Sequence, residues 1–235
     1  MAIAEAKHYE TAFKSYLPRL AQLIATYDSP RILELGGGRR PSYRLDELPN
    51  NVSSYTVNDI DPEELALVPS EYETAAFDVT SDVHQFAGEF DVVFSRTLME
   101  HVSDGEAMHR NVLSLLKPGG VAFHMGPTLY APPFVLNRLL PERISRAVLF
   151  AFRPWRRTEK PKFPAYYSWC YGDEKKMARM LCGVGYSEAK LTTFYGHGYF
   201  EPIPILREID RAFSAMAASN DWTAFASFAH VTARK

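Results

Sequence analysis

The stretch Arg31-Ile32-Leu33-Glu34-Leu35-Gly36-Gly37-Gly38 decides the fold of this chain. Its first half reads as a short buried strand, because a continuous apolar or long-chain run suits a parallel strand covered on both faces. The strand carries an acid near its end and breaks into a glycine loop. Three glycines let the backbone turn sharply and approach a ligand closely, since no Cβ stands in the way. Such a loop marks the carboxyl end of the first strand of an open α/β sheet, where ligands bind.

Four further elements follow in order. Residues 54–58 form a second strand that runs into Asp59-Ile60-Asp61-Pro62. A carboxylate at that tip, roughly 20 residues past the glycine loop, is placed to accept hydrogen bonds from ribose hydroxyls. Pro62 with Glu63 and Glu64 suits the first turn of a helix. Residues 74–77 form a third strand ending at Asp78-Val79, and residues 90–95 a fourth, followed by Arg96 to Val102. The run Leu115-Leu116-Lys117-Pro118-Gly119-Gly120 reads as a helix end and a Pro-Gly turn before a fifth strand over 121–125.

This ordered set resembles the class I S-adenosylmethionine-dependent methyltransferases of the broad small-molecule type, over roughly residues 30–127. The resemblance rests on Glu34-Leu35-Gly36-Gly37-Gly38, Asp59, Asp78, Phe90-Asp91-Val92-Val93, Glu100-His101-Val102 and Leu116-Lys117-Pro118-Gly119-Gly120. It implies an α/β fold: a Rossmann-like, doubly wound, mostly parallel seven-stranded sheet with a closing antiparallel strand and a helical insertion after strand five. It implies S-adenosyl-L-methionine as cofactor. Glu34, Gly36, Gly37 and Gly38 would form the methionine-side loop and Asp59 would hold the ribose, with Ile60 next to it in the cofactor set. Asp78 with Val79 would flank the adenine, and Ser95 completes the cofactor set. The chain departs from the family pattern at Arg40, where many members carry another glycine. Arg40 is therefore a candidate to meet the methionine carboxylate or an anionic substrate. A nicotinamide dehydrogenase would need glycine at position 41, and Pro41 stands there.

At 235 residues the chain suits one α/β domain with an elaboration. A net charge of -2 gives no pull toward nucleic acid or an anionic membrane. Cys170 and Cys182 offer neither a disulfide framework nor a metal cluster, which fits a reducing cytoplasm. No metal is expected: there is no carboxylate cluster beyond the cofactor acids and no His-x-x-x-His pattern. No signal peptide or spanning run is visible.

The single domain divides into an N-terminal helical cap (1–29), a cofactor-binding half (30–127), a basic insertion or lid (128–172) and the rest of the sheet (173–235). Residues 8–27 have helical spacing, with Pro18 expected to kink or split the helix. From Arg138 to Lys162 eight basic residues face two acidic ones, about +6 locally. The insertion reads as a lid with a solvated basic face, as a contact for an anionic or lipid-linked acceptor, or as a peripheral membrane contact through 134–157. A helix is expected over 173–182 and another over 203–218, the latter with Ile205, Ile209, Ala212, Phe213 and Met216 on one side. A closing strand is expected over 225–233.

His101 is the first candidate for a catalytic base, because it follows strand four at the ligand edge and titrates near neutrality. It reads equally as a residue that holds the loop with Glu100. His124 is either an acceptor-site residue or a core histidine. Tyr130, Tyr166 and Tyr167 are candidates to line the acceptor pocket, with aromatic packing the default for each. His197, between two glycines, sits on a loop able to close the site. The acceptor expected is a small molecule, preferably an oxygen of a sugar or glycan intermediate. A quinone or polyketide-like ring is the alternative, and a non-catalytic cofactor-binding partner protein is the reading from another class.

Overall fold

The computed structural model describes residues 3–139 and 164–235. The basic part of the insertion, with the proposed membrane contact, lies largely outside the described residues. Seven strands form one sheet in the order β3-β2-β1-β4-β5-β7-β6. They are β1 (Arg31–Leu35), β2 (Ser54–Asp59), β3 (Glu73–Ala76), β4 (Phe90–Arg96), β5 (Leu116–Pro127), β6 (Glu188–Phe194) and β7 (Phe228–Arg234). The first five pair in parallel, and β7 runs antiparallel between β5 and β6. The expected mostly parallel sheet is thus the one observed. The closing strand is an interior one, so its residues are mostly buried rather than alternating.

Helices cover both faces. On one face α1 (Tyr9–Ile24) lays Tyr16, Leu20 and Ile24 over Ile32, Val92, Phe94 and Phe123, and α2 (Pro62–Leu65) adds Leu65. On the other, α3 (Gly105–Leu115) and α5 (Glu174–Val184) bring Met108, Val112, Met177 and Leu181 against Leu33, Val93 and Ala122. A short α4 (Pro132–Leu139) follows β5, and α6 (Pro204–Ser219) precedes β7. Asp104 and Asp173 cap α3 and α5, each accepting a backbone N–H at 2.9 Å.

Two local expectations change. The helix α1 runs unbroken through Pro18. Lys14 and Pro18 both lie on its exposed side, where water can serve the carbonyl that proline leaves unbonded. The Lys-Pro-Gly-Gly run is not a turn ahead of the strand but an irregularity within β5, where the pairing with β4 shifts register. Lys117 there binds Asp91 at 2.6 Å, and Asp91 also accepts the Arg31 N–H at 2.8 Å. That motif pins the strands at their amino ends. In α6 the side that carries Ile205 and Ile209 is the outer one: Ile205 is 76% and Ile209 62% exposed, while Asp210, Ser214, Ala215, Ala217 and Ala218 are buried. Small residues let this helix approach closely, and Asp210 goes inward because His197 meets it there.

Among the described residues no helix is long and apolar enough to cross a membrane.

Candidate cofactor and methyl-transfer site

The strand order reverses between β1 and β4, so a crevice opens at their carboxyl ends. The glycine loop lies there. Gly36 and Gly38 have φ of 67° and 48°, a backbone that glycine adopts without strain. A Cβ on Gly36 would lie 2.9 Å from Leu98 Cδ1, and one on Gly37 2.7 Å from Val57 Cγ1. A Cβ on Gly38 would stand 3.0 Å from Asp59 Oδ2. Asp59 spends its other oxygen on the Asp61 N–H at 3.0 Å. The loop is therefore a cradle kept open by three missing side chains, with a carboxylate oxygen facing it. That is what a ribose beside a glycine-lined backbone requires, and the residues fit S-adenosylmethionine.

Asp78 folds into its own turn, with Oδ1 accepting from Thr80 N and Oγ1 at 2.8 Å each. Asn58 ties the two acid-bearing strand ends together by donating to the carbonyls of Ala75 at 3.0 Å and Phe77 at 2.9 Å. Ile60 stands exposed at the tip of β2, an apolar surface beside Asp59. Val79 packs into the core, and its carbonyl accepts from Asn111 Nδ2 at 2.8 Å.

Two expected cofactor contacts have other duties. Glu34 is buried, and accepts Ser42 N at 2.9 Å, Ser42 Oγ and the Tyr55 hydroxyl. Burial raises its pKa, against the pull of those hydrogen bonds. It anchors the far end of the glycine loop from beneath instead of reaching into the crevice. Ser95 and His124 are fully enclosed and bonded to each other, Oγ to Nδ1, at 2.8 Å. Burial holds the His124 imidazole neutral, so this pair corrects the expectation that either side chain meets a ligand. Arg39 is taken by a bidentate pair with Glu64, whereas the Arg40 side chain is exposed at the lip of the loop.

Beyond β4 the chain is bent. Thr97 has φ 52°, an outlier for a β-branched residue, held by its N–H on the Met125 carbonyl at 2.7 Å. A single turn over Met99–His101 follows. His101 Nδ1 lies 2.7 Å from the Pro164 carbonyl oxygen. Tyr166 and Tyr167 donate their backbone N–H groups to the Glu100 carbonyl at 2.7 and 3.1 Å. Tyr166 and Tyr130 are 47% and 42% exposed on this side, and Tyr130 stacks on Tyr171. Tyr167 is buried against Phe134, so it is packing rather than an open wall. The region therefore brings Tyr166 up to the Glu100–His101 turn, leaves Tyr130 exposed beside Tyr171, and withdraws His124 and Tyr167. Sequence reading gave Glu100 only a structural part beside His101, and passed over Ser42 and Tyr55. The alternation of residues 54–58 put Tyr55 on the Glu34 face, and that was the signal available.

His197 is enclosed and does not form a free flap: its Nε2 lies 2.9 Å from Asp210 Oδ1, and the pair borders a cavity of about 190 Å³ with His8, Tyr9 and Glu201. This cavity sits at the β6 edge, away from the glycine loop. Among the described residues no group of three or more His, Cys, Asp or Glu side chains is arranged to hold a metal ion.

A family model described as a methyltransferase domain matches residues 6–168. The chain belongs to this family, whose class I members use S-adenosylmethionine. No curated protein matches it in sequence. Among solved structures it resembles phosphoethanolamine N-methyltransferase 2 of Haemonchus contortus, in complex with phosphomonomethylethanolamine and S-adenosylhomocysteine. That match has a TM-score of 0.60 and 14% identity, and covers 95% of this chain and 52% of that one. The methyltransferase CalH with S-adenosylhomocysteine gives 0.56 and 19%, covering 92% and 54%. An S-adenosylmethionine-dependent methyltransferase of Mesorhizobium loti gives 0.59 and 17%, covering 94% and 98%. The chain spans about half the length of the first two. At these identities the likeness shows the fold.

Proposed function

We propose that this chain transfers a methyl group from S-adenosylmethionine to a small-molecule acceptor, preferably an oxygen of a sugar or glycan intermediate. The observation that carries the reading is the three-glycine cradle facing Asp59 Oδ2, with His101 on the adjoining carboxyl edge of the sheet. Gly36 to Gly38 admit the methionine portion, Asp59 accepts from the ribose hydroxyls, and Asp78 with Ile60 borders the adenine. The bound cofactor supplies a methyl group already activated on a sulfonium. The chain's task is alignment, exclusion of water and removal of a proton. Alignment of this kind supplies roughly 7–11 kcal/mol of a barrier. His101 takes the acceptor hydroxyl proton at Nε2 as the oxygen–methyl bond forms. The exposed rings of Tyr130 and Tyr166 offer flat surfaces for a ring-shaped acceptor. The preference for an anionic or lipid-linked acceptor rests on the sequence of the basic insertion alone.

The test incubates the protein with methyl-labelled S-adenosylmethionine and a cell lysate, then partitions the label among aqueous, butanol-soluble and protein fractions. Label on an aqueous or butanol-soluble sugar compound is the expected result. His101→Ala should lower that labelling by about 10²- to 10⁴-fold. Label confined to protein overturns the acceptor class. Tight S-adenosylhomocysteine binding with no label in any fraction overturns the enzyme reading.

A further inference from the structure

Behind His101 lies a carboxyl group that the cofactor does not need. Glu100 is only 6% exposed, although it follows a strand end where solvent would be a turn away. Its Oε1 lies 3.7 Å from His101 Nε2. Its Oε2 has no hydrogen-bond partner among the described residues, and lies 3.3 Å from where a Cβ on Gly126 would stand. A buried carboxyl oxygen without a partner is costly and calls for a reason. Its backbone is fixed as well, since the Glu100 carbonyl accepts two N–H groups, from Tyr166 and Tyr167.

The imidazole is oriented by the opposite contact. A carbonyl oxygen only accepts, so at 2.7 Å from Pro164 O the Nδ1 of His101 carries the proton. The lone pair is left on Nε2, the nitrogen on the Glu100 side.

We propose that Glu100 is the positioning residue of the methyl-transfer base: its enclosed carboxyl and His101 Nε2 act as one coupled pair that sets when the imidazole is able to take the acceptor's proton. This deepens the reading of His101 as base and rests on it. Burial pushes the Glu100 carboxyl up to about 8. Met99 Cε and Glu100 Oε2 each lie 3.3 Å from where a Cβ on Gly126 would stand, Tyr166 and Tyr167 meet Glu100 through their backbone N–H groups, and His101 is the titratable side chain beside it. The proton balance is simple. Below the pair's titration Glu100 is a neutral acid. As it ionises, its charge faces the imidazolium that forms when Nε2 receives the acceptor's proton.

The test needs no acceptor. His101 is followed by NMR with labelled histidine, assigned from the spectrum of His101→Ala, in the wild-type chain and in Glu100→Gln. In the wild type the His101 resonances should show a second inflection near pH 8. In Glu100→Gln the inflection near pH 8 should be gone. A single inflection in the wild type, or the same curve in both proteins, overturns the pairing. The second inflection is read in the wild type itself, so a variant that failed to fold would leave the test standing. With an acceptor in hand, Glu100→Gln should change the shape of the kcat–pH profile near pH 8, whereas a purely structural role would lower kcat or Tm without changing that shape. Full turnover of His101→Ala would instead overturn the base reading beneath it.

Discussion

Gly38→Ala separates the cradle from ordinary backbone strain. Gly38 has φ 48°, and an added Cβ would stand 3.0 Å from Asp59 Oδ2. Gly88 has φ 67° in the loop before β4, and nothing lies within 4 Å of its added Cβ. Alanine at either position takes the left-handed backbone at a cost of about 1–2 kcal/mol. In a chain of this size each kcal/mol lowers Tm by roughly 2–4 °C, so both variants should melt a few degrees early. Only at Gly38 does the methyl press on the oxygen that would accept from the ribose. Loss of a hydrogen bond to a charged group is worth about 1.5–3 kcal/mol. At about 1.4 kcal/mol per decade, Gly38→Ala should weaken S-adenosylhomocysteine binding by roughly 10- to 100-fold. Gly88→Ala should bind it as the wild type does. Titration calorimetry gives Kd, and melts with and without the ligand give the linked Tm shift. A Kd for Gly38→Ala within about twofold of wild type would refute the placement of the ribose. An equal loss at Gly88 would show that strain alone explains the effect.

Three further outcomes follow from burial. With Glu100 pushed up to about 8, the folded chain holds that proton more tightly than the unfolded one, so stability falls as pH rises from the ordinary carboxylate range through 8. Glu100→Gln should match the wild type near pH 4 and exceed it by about 2–4 kcal/mol at pH 9 in urea unfolding, and a constant difference would count against the shift. His109 and His230 are pushed down to about 4 by burial, and His124 also well down, so the unfolded chain binds protons first. Their stability contribution is complete above about pH 6.5 and is lost as pH falls toward 4. Tm should decline steadily over that window, less steeply in His109→Leu, and a flat wild-type profile would contradict the burial. On α6, Ile209→Ser should change stability by less than about 0.5 kcal/mol and Ala217→Leu should cost about 1–3, as measured by denaturant midpoints, with the reverse order refuting the packing.

The sheet was legible because its signals are local. A buried run that breaks into glycines, acids at strand tips and a period of two each report their own strand, and β1 to β5 lie within a few residues of where those signals put them. The site was legible where the backbone itself is the ligand surface, as at Gly36 to Gly38. It was not legible where a side chain's partner comes from a distant part of the chain. Glu34 looks like a ligand acid until Ser42 and Tyr55 arrive to occupy it. Ser95 and His124 are register partners on β4 and β5, which no spacing in the sequence announces. The apolar stripe of α6 was legible as one side of a helix, but periodicity does not say whether that side faces in or out. Asp210 answers that, since it is buried with His197 Nε2 2.9 Å from its Oδ1.

The acceptor side shows why the rest stayed hidden. Thr97, Tyr167 and Trp169 all have positive φ, a conformation that β-branched and aromatic residues avoid. Each costs on the order of 1–3 kcal/mol and persists only where surrounding contacts over-determine it. Those contacts exist: Thr97 is fixed by the Met125 carbonyl and Tyr167 by the Glu100 carbonyl. Gly105 admits the turn at Trp169, where a Cβ would lie 2.6 Å from both Ser168 O and Trp169 Cβ. Propensity argues against such backbones at these residue types, so a sequence reading passes over them. The strain gathers on the segments that hold Glu100 and His101, and in a fold otherwise consistent with its sequence, that is where function is expected to override local preference.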